Sequence, residues 1–147
     1  MMKILKIGFI LSVLAMLLIN CKTSAQKTNI TSVSYTHTAG RGGRSFINAT
    51  KDSLESNKTG GRFEDYPVFK KKINQKDWDK IVADINISLL EKTKSGKARG
   101  HYDGPDDIFR ITTTDKEYEL INVPEGSEGY TQIQKLKNNL ENLLKKY

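Results

Sequence analysis

The densest group of reactive side chains in the sequence is His101-Tyr102-Asp103-Gly104-Pro105-Asp106-Asp107. One imidazole and three carboxylates in a short run offer hard oxygen ligands to a cation such as Ca2+, so Asp103, Asp106 and Asp107 are the candidate metal ligands. The spacing departs from an EF-hand loop, and Asp-Gly-Pro-Asp also spells an ordinary turn. A second group, Gly40-Arg41-Gly42-Gly43-Arg44, combines glycine amides with guanidinium groups. With Arg62 from the next glycine-rich turn, Arg41 and Arg44 form a candidate anion site. No Lys-Ser or Lys-Thr follows, so this is not a phosphate-binding P-loop, and a tight connection between strands accounts for the same glycines.

Nucleophilic catalysis needs a nucleophile, a base and a group that orients the base. The chain has two histidines, His37 and His101, and no Gly-x-Ser-x-Gly accompanies them. His37 falls in an alternating stretch and reads as a half-buried structural residue. No cofactor motif is present, and none is expected to bind.

The elements that must carry these groups follow from periodicity. Ile30 to His37 alternates, with Val33, Tyr35 and His37 on one face and Ser32, Ser34 and Thr36 on the other, which predicts a strand. Ser45–Thr50 and Ser53–Lys58 predict a hairpin turning at Lys51-Asp52, and Val68–Ile73 a fourth strand with Lys70 and Lys72 facing water. Asn74 with Asp77 three residues on forms a capping-box-like start. Trp78, Ile81, Val82 and Ile85 then give one apolar stripe, predicting a helix over 76–85 with Trp78 in the core. Ile108–Thr113 and Glu117–Val123 predict a hairpin. Thr131 is the expected cap of a closing helix whose stripe is Ile133, Leu136, Leu140, Leu143 and Leu144. The order ββββ-α-ββ-α predicts an α+β fold: an antiparallel sheet of about six strands with two helices on one face.

The first residues read as an address rather than as part of this fold. Lys3 and Lys6 precede an apolar run, Ile7 to Ile19, which suits a signal segment and falls short of the ~20 residues of a spanning helix. Residues 1–20 are therefore the expected signal peptide, cleaved before Cys21 at a lipobox-like Leu-Ile-Asn-Cys. Cleavage after Ala25 is the alternative. Cys21 is the single cysteine and the candidate lipidation site; residues 21–29 form a polar tether, and 30–147 one domain. With Cys21 lipidated or removed, that domain has no thiol, hence no disulfide and no thiolate metal site. Removing residues 1–26, with Lys3, Lys6 and Lys22, lowers the formal charge from +7 to +4. That is too weak and too dispersed for a nucleic-acid partner.

The leader junction Cys21-Lys-Thr-Ser-Ala-Gln-Lys, Asp77-Trp78 opening a helix, Asp103-Gly104, the Ile108–Thr113 strand, the Tyr118 strand and a closing Leu-rich helix together resemble small exported lipoproteins of Bacteroidota. The resemblance spans residues 21–147. It implies delivery to the cell envelope and brings no assigned activity or catalytic residues. Asp52-Ser53-Leu54 is similar to the O-glycosylation signal of exported proteins of that phylum, making Ser53 a candidate acceptor.

The functional expectation is a non-enzymatic module, monomeric and held to the membrane only through its lipid. It would bind or inhibit an envelope protein or glycan through the sheet face or edge opposite the helices and the glycine loops at 40–44, 59–62 and 100–107, an exposed strand edge being able to accept a partner's strand. Two alternatives stand beside it: a small metal-dependent or His/Asp hydrolase built on the 101–107 cluster, and a structural component of an envelope complex. A soluble periplasmic or secreted location goes with the second cleavage reading. Intact mass of protein extracted from membranes separates the two cleavages. We expect a chain starting at an acylated Cys21; a start at unmodified Gln26 removes the anchor.

Overall fold

A computed structural model describes residues 30–100 and 104–147. The signal segment, Cys21, the tether, and His101, Tyr102 and Asp103 lie outside the described residues. Six strands form one antiparallel sheet: β1 (Ile30–Thr38), β2 (Arg44–Thr50), β3 (Ser53–Thr59), β4 (Phe69–Lys72), β5 (Asp106–Thr113) and β6 (Glu117–Ile121). Their spatial order is β4-β3-β2-β1-β5-β6. Helices α1 (Gln75–Val82), α2 (Ile87–Leu90) and α3 (Tyr130–Lys146) complete the mixed α+β fold.

Cross-strand register turns the alternation of each strand into two unlike faces. Val33 stands between Ala49 and Ile111, and Tyr35 between Ile47 and Phe109. Leu54 pairs with Ala49, Leu120 with Phe109, and Tyr118 with Ile111. These side chains are buried together with Trp78, Ile81 and Val82 of α1 and Ile133, Leu136, Leu140 and Leu143 of α3. Intervening residues face the other way. One row across that opposite face reads Asn57, Phe46, Thr36, Ile108, Ile121; the next reads Glu55, Asn48, Ser34, Arg110, Glu119. None of these ten residues is buried, so no described element covers this face.

Three local starts and stops differ from the sequence expectation. Asn74 caps α1 by accepting from the Asp77 amide at 2.9 Å. The buried Asp77 carboxylate, however, turns to the end of α3, where it accepts from Lys146 Nζ at 2.6 Å and the Tyr147 hydroxyl at 3.0 Å. Those bonds, led by the one from Lys146, outweigh burial and hold Asp77 below the usual carboxylate range. α1 stops at Val82 rather than Ile85, because Asn86 opens the short α2 by accepting from the Leu89 amide at 3.1 Å. α3 begins at Tyr130, with Gly129 and not Thr131 as its cap. Gly129 has φ 87°, and a Cβ there would lie 1.9 Å from Thr93 Oγ1, so the chain makes its left-handed turn where only hydrogen fits.

The β4 edge is short and charged, and the β6 edge is covered at its Ile121 end. β4 is four residues long and presents Lys70, Lys71 and Lys72 in succession, all exposed. Beside β6 runs segment 95–97: the Gly96 amide donates to Ile121 O at 2.7 Å, Ser95 Oγ accepts from the Ile121 amide, and Asn122 Nδ2 donates to Lys97 O. Charge on a short edge strand and cover over an edge are two known ways of preventing sheet extension.

The two turns at 40–42 and 61–63 meet backbone to backbone. Gly43 (φ 109°) and Gly60 (φ 86°) face each other so closely that a Cβ on Gly43 would sit 1.9 Å from Thr59 O, and one on Gly60 2.4 Å from Gly42 O. Gly43→Ala combines left-handed backbone strain with a backbone clash, each on the order of 1–3 kcal/mol. Urea unfolding is expected to show a loss of more than about 2 kcal/mol for Gly43→Ala. Gly61→Ala, whose Cβ would meet nothing within 4 Å, should leave the midpoint nearly unchanged.

Candidate functional site

Three surface depressions lie at one end of the sheet, where β1 ends and β2 begins. On the uncovered face a depression of about 280 Å3 is lined by Thr36, Arg44, Phe46, Asn57 and Arg110, among others. Next to it a second, of about 380 Å3, lies among Gly40, Gly43, Arg44, Thr59, Gly100 and Asp106. Arg44 lines both. Around the rim, on the helix side, a cleft of about 270 Å3 is bounded by Tyr35, His37, Phe63, Tyr66, Lys137 and Glu141. The glycine turns that the sequence places in three separate loops therefore border one region.

In that cleft β1 and β5 place His37 directly opposite Asp107. His37 Nδ1 lies 2.7 Å from Asp107 Oδ1, and the Tyr35 hydroxyl donates to the same oxygen at 2.7 Å. Lys137 of α3 brings its Nζ to 3.5 Å from Asp107 Oδ2 and 4.9 Å above the Tyr35 ring. Burial opposes ionisation of Asp107, but the contacts from His37 and Tyr35 and the charge of Lys137 outweigh it, and its pKa falls below the usual range. Burial and the bond to ionised Asp107 push the Tyr35 phenol far up. Burial raises Tyr66 to about 12 even though the Ser56 and Ser45 hydroxyls beside it act the other way. A carboxylate that accepts Nδ1–H fixes the imidazole with Nε2 as its free acceptor, the orientation a general base requires.

The sequence-derived candidates fare unevenly. Asp106 and Asp107 are neighbours on one strand and point to opposite faces, so they do not converge on one cation; Asp103 lies outside the described residues. Asp106 is buried and its oxygens are taken by the Arg99 amide at 2.8 Å, the Gly100 amide at 3.1 Å and Asn122 Nδ2 at 2.5 Å. Those donors, the Arg99 amide first, hold it below the usual carboxylate range against its burial. Its role is to tie the loop before β5 to Asn122, which has φ 45° and also receives the Asp107 amide on Oδ1 at 2.9 Å. Among the described residues no three His, Cys, Asp or Glu side chains are grouped to hold a metal.

Two amides of the glycine turn at 40–43 are used within the turn. Gly42 N donates to Ala39 O and Gly43 N to Gly40 O, inside the turn itself. Of the three arginines, Arg44 opens into the two depressions, whereas Arg62 lies with its Cβ and Cδ against Gly42. Ser53 stands at the start of β3, its hydroxyl 2.8 Å from Thr50 Oγ1 across the Lys51-Asp52 turn. The pairing of His37 with Asp107 was hidden in the sequence, because the two are seventy residues apart. Phe46 was missed for another reason: Phe46 and Ile47 are equally apolar, and only register decides which one faces out.

Asp107→Asn weakens the charge-assisted bonds to His37, Tyr35 and Lys137 and should cost about 1–3 kcal/mol at neutral pH. The acid limb gives the sign. Carboxylates whose folded pKa is depressed contribute stability that is present above the unfolded value of 3.8 and is lost as pH falls through the lower folded value. Urea midpoints of the native protein should fall steeply below about pH 4. Asp107→Asn should narrow that loss; parallel curves for the two proteins would show that Asp107 carries none of it.

No known protein-family model matches the chain, and no curated protein is similar enough to it to count as a relative.

Proposed function

We propose that the chain is a non-enzymatic binding module of the cell envelope whose uncovered sheet face holds a glycan. The observation that carries this reading is the composition of that face around Phe46. A half-buried aromatic ring lies in register between Asn57 and Thr36, with Arg44 lining the same shallow depression. Sugars are recognised by this combination. An aromatic ring supplies flat apolar area for the C–H face of a pyranose, while amide, hydroxyl and guanidinium groups take its hydroxyls. A rigid sheet presents these groups without a cost of ordering the backbone that carries them. The envelope assignment rests on the leader and on Cys21.

A second reading, a small hydrolase, is favoured by one observation: the His37–Asp107 contact of 2.7 Å in a concave cleft. It places chemistry on the helix side of the rim, away from Phe46, so the two readings separate by mutation.

Affinity electrophoresis of the purified protein through gels containing soluble polysaccharides tests the binding reading. Retardation by at least one polysaccharide is expected, with Phe46→Ala reducing the association constant about tenfold or more while the circular dichroism spectrum is kept. His37→Ala should leave retardation unchanged. Retardation that survives Phe46→Ala, or none with any polysaccharide, defeats the proposal. Esterase or glycosidase turnover lost specifically with His37→Ala would establish the hydrolase instead.

A further inference from the structure

We infer that the glycan is anionic and that Arg44 takes its carboxylate or sulfate group; this rests on the glycan-binding reading and deepens it. Cations on the uncovered face fall into two kinds. Arg110 is spent on Glu119, with Nη2 at 2.6 Å and Nε at 2.7 Å from the same oxygen. Lys70 faces Glu55 at 3.6 Å. Arg44 is exposed and, like Lys58 beside it in the first depression, meets no carboxylate among the described residues. It is also the residue shared by the two adjoining depressions, so its guanidinium stands where a chain crossing Phe46 would continue towards the glycine turns.

The surroundings favour an anion there over a neutral group. Asp106, the carboxylate in the second depression, is two strands away from Arg44 through Thr38, on the order of 10 Å at ordinary strand spacing. No ion pair joins the two among the described residues, and the Asp106 oxygens are already occupied by two backbone amides and Asn122. Asp106 therefore does not neutralise Arg44. Thr59 pairs with Arg44 across β2 and β3, and Thr38 pairs with it across β1 and β2. Hydroxyl-bearing side chains thus flank the guanidinium on both neighbouring strands. A planar guanidinium donates two parallel hydrogen bonds to a carboxylate or sulfate, which a lone sugar hydroxyl cannot accept. Phe46, two residues along the same strand and on the same face, is placed to stack on the ring that bears the anionic group.

The test compares polygalacturonate, a carboxylate polymer, and chondroitin sulfate with dextran in the same electrophoretic assay, using the full processed protein. We expect retardation by one or both anionic polymers and little by dextran. Arg44→Gln should weaken it about tenfold or more, the loss of a charge-assisted bidentate contact. Arg110→Gln, which removes an arginine already held by Glu119, should weaken it much less. Polygalacturonate over chondroitin sulfate assigns the carboxylate, and the reverse assigns the sulfate. Equal retardation by dextran overturns the inference while leaving glycan binding intact; no retardation by any polymer overturns both. Retardation by anionic polymers that Arg44→Gln and Arg110→Gln reduce alike, or binding to phosphatidylglycerol vesicles in preference to the polymers, also overturns it.

Discussion

β1, β2, β5 and β6 carry their apolar side chains mainly at alternate positions, and the long helix α3 is amphipathic along one stripe. Together these supply enough apolar surface to build one buried layer and not two. Everything else follows from that asymmetry. α1 and α3 settle on the face of Val33, Ile47, Phe109 and Ile111, and the hydroxyl, amide and charged residues between them remain in water. Burying such a face under a third layer would strand its polar groups without partners at a cost of 1–3 kcal/mol each. The open face is therefore compatible with solvent or with a partner that brings its own hydrogen-bonding groups.

At the sheet end that carries the depressions, local backbone constraints and surface chemistry are the same thing. Gly43 and Gly60 let two turns touch, which shortens the loops and leaves Arg44 and Phe46 at a rim instead of under a flap. Asp106 and Asn122 fasten the third loop to β5 and β6. On the other side of the rim Asp107 gathers Tyr35, His37 and Lys137 into one contact group. Consecutive aspartates thus serve opposite faces, one fixing a loop and one fixing a strand–helix junction.

Most of the architecture was legible because the signals were local. The alternation at 30–37, the two-residue turn at Lys51-Asp52, the Asn74 cap and the Leu stripe of α3 each need only neighbouring residues, and each appears where periodicity put it. The parts that were not legible depend on distant partners. Asp77 looks like the acidic half of a capping box, but a lysine and a tyrosine at the far end of the chain outcompete the Asn74 amide for its carboxylate. Thr131 looks like a cap, but Thr93 fills the space around Gly129 and sets the start of α3 earlier. The candidate site divides in the same way. The glycine loops and Arg44 could be named from sequence, whereas Phe46 and the His37–Asp107 pair became visible only through strand register. Asp106 and Asp107 were the reverse case, neighbours in one dimension whose side chains separate to two faces in three.

The sheet edges have a bearing on how the molecule behaves in a crowd. Pairing of exposed strands between copies is the usual route by which open antiparallel sheets stack into fibres. Here three successive ammonium groups repel a second β4, and residues 95–97 occupy the hydrogen-bonding positions at the Ile121 end of β6. Copies packed densely on a common support would therefore stay separate sheets, each free to present its broad side outward.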